Sequence, residues 1–85
     1  MNLTLIFGLS DEGAETMLGN TIWEDIVRTA TVGHLAPTHS TIDTTIERWR
    51  HEIAVKYGVH SRELRILESV APRLRDRAPS YASRV

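Results

Sequence analysis

Apolar residues recur along most of this chain at helical spacing, and the pattern breaks at a few glycines and prolines. The clearest stretch is Ile42, Ile46, Trp49, Ile53 and Tyr57, whose intervals of four, three, four and four set five apolar side chains on one face of a helix. Ser40, with Asp43 three residues on, predicts the start of this helix, the longest in the chain, and Tyr57 its end. Arg48, Glu52 and Lys56 follow one another at i,i+4 on a second face and read as a solvated, mutually paired surface. Gly58 then supplies a corner residue able to take positive φ. Ser61 caps a further helix whose buried side is Leu64, Leu67 and Val70. Pro72, which lacks an amide proton, ends that helix or opens one more turn through Leu74.

The first half is patterned less regularly. Asn2 to Phe7 alternates imperfectly, with Leu3, Leu5 and Phe7 on one side and Ile6 on the other, as in a short strand with two apolar faces. Such a strand needs a partner, a second copy in a dimer being one; the same residues also suit an irregular apolar arm lying over the helices. Ser10, Asp11 and Glu12 predict a helix start, with Ala14, Met17 and Leu18 as its apolar side and Gly19 as its stop. Thr21 to Glu24 has capping-box spacing, and Ile22, Ile26, Val27 and Ala30 form a stripe that closes at Gly33, with Trp23 beside it as a core or rim anchor. His34 to Ser40, around Pro37, is a connecting loop. The expected architecture is mainly α: a small four-helix domain over residues 1–74, with a corner between its last two helices and a short N-terminal strand or apolar arm. Residues 75–85 are expected to form a loosely ordered tail.

Composition narrows the field without naming a chemistry. At 85 residues the chain is one domain, able to bury roughly 60 to 65% of its unfolded surface, and its 41% apolar and 25% charged residues are those of a globular protein. The longest apolar run, Leu3 to Leu9, is interrupted by Thr4 and Gly8, falls short of a membrane span and has no Lys or Arg before it, so neither a bilayer segment nor a signal peptide is expected. Without cysteine there is no disulfide framework or thiolate metal site, and a cytoplasmic location is allowed. His34, His39, His51 and His60 fit no HExxH pattern. With no Ser-His-Asp order and no glycine-rich phosphate loop, neither a metal, a cofactor nor an enzyme is expected. The net charge of −1 hides an asymmetry: five acids against Arg28 through Ser40, then nine Lys and Arg against six acids. The basic half is the half with the corner.

That corner resembles the helix-turn-helix family of bacterial and phage DNA-binding proteins. Ala54 lies four residues before Gly58, where a small side chain permits a close crossing; Val59 tucks beneath the corner, and Leu64 and Leu67 hold the second helix against Ile53 and Tyr57. The match covers about twenty residues. It implies that the helix 61–70 enters the major groove, with Arg62 and Arg65 on base edges and Ser61, His60 and Ser69 on base or phosphate. Arg48, Arg50 and Lys56, with Arg73, Arg75 and Arg77, would contact phosphates of double-stranded DNA. Glu63, Glu68 and Ile66 on the same helix depart from a groove-reading surface. The implied protein is a small transcriptional regulator of the phage or mobile-element kind, working as a homodimer on paired half-sites. The rival expectation is a non-enzymatic protein-interaction module, a small inhibitor or adaptor. It would bind another protein through its acidic first half and the apolar arm, with Leu3, Leu5, Phe7 and Trp23 as contact residues.

Overall fold

A computed structural model of the chain describes residues 3–33 and 38–77, the side chain of Leu5 excepted; residues 78–85 of the expected tail lie outside them. Three helices run through these residues: α1 (Asp11–Val32), α2 (His39–Tyr57) and α3 (Arg62–Asp76), preceded by a 3-10 turn at Thr4–Ile6. Four helices were expected, and the correction falls at Gly19. Instead of stopping the first helix, Gly19 lies buried within α1, where a Cβ would come 3.2 Å from Val70 Cγ1 of α3. An interior glycine costs about 1 kcal/mol of helix propensity relative to alanine, and here it is set against a close helix crossing. Thr21, expected to cap a new helix, sits inside α1 and donates its hydroxyl to Met17 O at 2.9 Å.

The other boundaries follow local chemistry more closely. Ser10 caps α1 by accepting from Gly13 N–H at 3.1 Å, with Asp11 and Glu12 in the first turn. Gly33 closes α1, as its position predicts. Thr38, two residues earlier than Ser40, caps α2 by accepting from Thr41 N–H at 3.3 Å. α3 does not end near residue 70: it passes through Pro72, takes the further turn through Leu74 that was the other expectation, and runs on to Asp76, so that Arg75 and Asp76 of the expected tail are helical. An α-helical Pro72 leaves only the Glu68 carbonyl short of an amide, and Pro72 is exposed, where water can replace that donor. The continuation brings Leu74 into the core.

No strand occurs among the described residues, and the N-terminal arm shows why. Alternation would place Leu3, Leu5 and Phe7 on one side, but Leu3 and Ile6 are the pair buried. Residues three apart eclipse in a 3-10 turn, so this one turn points both inward. Ile6 N–H donates to Leu3 O and Phe7 N–H to Thr4 O, both at 3.1 Å. The three helices close around Leu18, Ile22, Ile26, Ile42, Ile46, Ile53 and Leu67, all fully buried. Each such side chain contributes about 1.5–3 kcal/mol by leaving water. Ile66, on a side a groove reader keeps polar, is buried too. No helix among the described residues is long and apolar enough to cross a membrane.

Candidate interaction surface

The α2–α3 corner is built from a few hydrogen bonds. Gly58 takes φ +101°, its N–H donates to Ala54 O at 3.0 Å, and its carbonyl accepts from both Ser61 N–H (3.2 Å) and Ser61 Oγ (2.8 Å). Ser61 Oγ in turn accepts from Leu64 N–H at 3.2 Å, which caps α3. Ile53 and Leu67 are fully buried and Leu64 and Tyr57 pack against the core, as the corner pattern predicts. Val59 does not. Expected beneath the corner, it is 66% exposed, because the two residues between Gly58 and Ser61 loop outward.

The arm is strapped to this same end of the molecule. Arg62, at the first position of α3, donates from Nη2 to Leu9 O at 2.6 Å, from Nη1 to Ile6 O at 3.4 Å and from Nε to Asp11 Oδ1 at 3.1 Å. Leu3 N–H donates to Tyr57 Oη at 3.1 Å. Gly8, at φ +81°, turns the chain between the arm and the Ser10 cap. The expected base-reading residue Arg62 is thus engaged with the arm, and Arg65 lies 3.7 Å from Asp11 Oδ2.

The remaining basic residues are engaged as well. Arg50 forks onto Glu68, with Nη2 to Oε1 at 2.7 Å, and also meets Glu47. Arg75 Nε donates to Asp43 at 2.6 Å, and Arg73 lies 3.8 Å from Glu15, which also accepts from Ser69 Oγ. Lys56 Nζ stands 5.5 Å over the Tyr57 ring, and Arg77 lies 5.4 Å over Trp23. Arg28 and Arg48 share Asp25, Arg28 at 3.2 Å, and the same carboxylate accepts from Trp49 Nε1 at 2.7 Å. Burial pushes the Asp25 carboxyl up; Trp49, Arg28 and Arg48 together outweigh it and hold the group below the ordinary carboxylate value. His60 is exposed at the corner.

Apolar exposure is concentrated where the arm, the start of α1 and the corner meet. Among the described residues, five of the seven large exposed apolar side chains lie at this end: Phe7 (59%), Leu9 (38%), Met17 (43%), Val55 (74%) and Val59. Two hollows open there. One, of about 430 Å³, is lined by Leu9, Ser10, Glu12, Gly13, Thr16 and Met17; the other, of about 310 Å³, lies at the corner between Val59, Leu64 and Arg65. No family model, curated protein or solved structure matches this chain.

Of the expected partner contacts, Phe7 belongs to this end and is open. Leu3 is buried in the core, the Leu5 side chain lies outside the description, and Trp23 stands further along α1, half-buried beneath Arg77. Leu9, Met17, Val55 and Val59 are exposed as well and are not among the expected contacts. The expected inner side of the first helix includes Met17, but the buried line of α1 runs through Ala14, Leu18, Ile22 and Ile26 across Gly19 and leaves Met17 outside.

Proposed function

We propose that this chain is a non-enzymatic protein-interaction module that docks on another protein through the end formed by the arm, the first turns of α1 and the α2–α3 corner. The observation that carries this reading is a pair of hollows bordered by exposed apolar side chains, Leu9 and Met17 at one and Val59 at the other, with exposed Phe7 on the adjoining arm. Exposed apolar residues scattered singly need no explanation, but apolar side chains that line a hollow are what an interface anchor requires. The charge distribution supports the same reading. Each of the nine Lys and Arg side chains among the described residues already faces a carboxylate or an aromatic ring, and the α3 surface alternates Arg65, Glu68, Arg73 and Asp76.

DNA binding by the 61–70 segment is the second reading, favoured by the corner itself: Ala54, the positive φ of Gly58 and the Ser61 cap meet the local needs of a helix-turn-helix. Duplex DNA from a pooled genomic source, titrated by fluorescence anisotropy at low and moderate salt, separates the two. The interaction module leaves the anisotropy flat at low salt. Tight binding that falls about 1,000-fold between low and moderate salt, and is lost in Arg62→Ala/Arg65→Ala, would replace it with the regulator reading.

A further inference from the structure

The groove at the start of α1 carries a more specific inference, which rests on the interaction-module reading. We propose that it seats one bulky apolar side chain from a segment of a different protein, and that a Lys or Arg next to that anchor meets Glu12.

The shape comes from three residues. Leu9 and Met17, both partly exposed, form apolar walls, and Gly13 between them has no side chain to fill the floor; a Cβ there would sit in ordinary contact, 3.4 Å from Ser10 Oγ and 3.6 Å from Leu9 Cβ. A cavity of about 150 Å³ takes a benzene ring, so an open groove of about 430 Å³ has room for a leucine or aromatic side chain and part of the backbone that bears it. The Ser10 and Thr16 hydroxyls at the edge leave the lining mainly apolar with a polar rim, the usual layout of an anchor pocket.

Charge selects the occupant. Glu12 is the one charged residue lining the groove, and among the described residues it has no cationic partner. Its neighbours Asp11 and Glu15 turn toward α3, where Arg62, Arg65 and Arg73 meet them, so the cations of α3 are spent on the opposite side of α1. A second copy of this chain fits poorly. A two-fold pairing centred on the groove would bring the two Glu12 side chains together with no cation in the lining to separate them. A polyanion is disfavoured by the same carboxylate. A cationic segment bearing an apolar anchor satisfies both the walls and Glu12.

The test is a displayed random-peptide library panned against the intact chain, with the enriched peptides then titrated against variants by fluorescence anisotropy. Enrichment of an aromatic or leucine anchor with an adjacent Lys or Arg is expected. Met17→Asp, at an exposed position the fold does not need, should weaken those peptides about tenfold or more. Glu12→Lys should weaken them about threefold and shift a fresh panning toward acidic peptides. Peptides that depend on Val59→Asp but ignore Met17→Asp would overturn the groove while leaving the interaction end in place. Enriched peptides without basic flanks would overturn the charge assignment. A library that yields no enriched sequence would overturn both the groove and the interaction-module reading.

Discussion

Asp25 lies almost out of solvent on α1, and its partners decide its protonation. The indole N–H of Trp49 and the guanidinium groups of Arg28 and Arg48 stabilise the carboxylate more than burial destabilises it, so its folded-state pKa is below the unfolded value of 3.8. A depressed carboxylate contributes stability that is fully present above the unfolded pKa and is lost as pH falls through the folded one. Denaturant midpoints measured from about pH 6 to about pH 3 should therefore drop, and Asp25→Asn, less stable at pH 6, should show a shallower drop. An unchanged slope in the variant would remove Asp25 as a source of the acid sensitivity. Nothing in the sequence singled this residue out. Asp25 reads there as one of five acids in the first half, and its partners Arg48 and Trp49 stand 23 and 24 positions away, a pairing that only the antiparallel run of α1 and α2 creates.

At the scale of the helices, what was legible was what local chemistry decides. Ser10 and Ser61 cap where expected, Gly33 and Gly58 end their helices, and the 42–57 stripe buries Ile42, Ile46, Trp49 and Ile53. What misled was a residue serving packing instead of termination. Gly19 has the local character of a stop, yet its missing side chain lets Val70 approach, and α1 runs on for 22 residues. The explanation can be checked by a double-mutant cycle. Gly19→Ala gains helix propensity but meets Val70 at 3.2 Å, so it should be better tolerated by about 1 kcal/mol in a Val70→Ala background than in the parent chain. Strictly additive effects in thermal unfolding would mean that the crossing is not what keeps a glycine there. The buried line of α1 that leaves Met17 outside crosses Gly19, so the groove was as hidden in the sequence as the long helix.

Across the whole molecule the arm ties three helices together, and Arg62 is the fastener. It joins the carbonyls of Ile6 and Leu9 to the first turns of α1 and α3, while Leu3 and Ile6 plug the core from the same side. One wall of the groove, Leu9, belongs to this strap, so the groove has its shape only while the strap is fastened. Arg62→Ala removes three hydrogen bonds, one of them to a carboxylate, and leaves the partly buried Ile6 carbonyl without its donor. It should cost about 1–2 kcal/mol. Arg65→Ala, which loses an exposed contact at 3.7 Å, should stay within about 0.5 kcal/mol. Amide hydrogen exchange separates a local fastener from a general support. In Arg62→Ala the amides of Phe7 and Leu9, which bond within the arm, should exchange faster by more than those of Ile26 and Ile53 in the core. Equal acceleration at all four sites would mean that the arm opens only with the whole fold. In that case the Leu9 wall would be as permanent as the core, and Arg62→Ala would leave the shape of the groove unchanged in the folded chain.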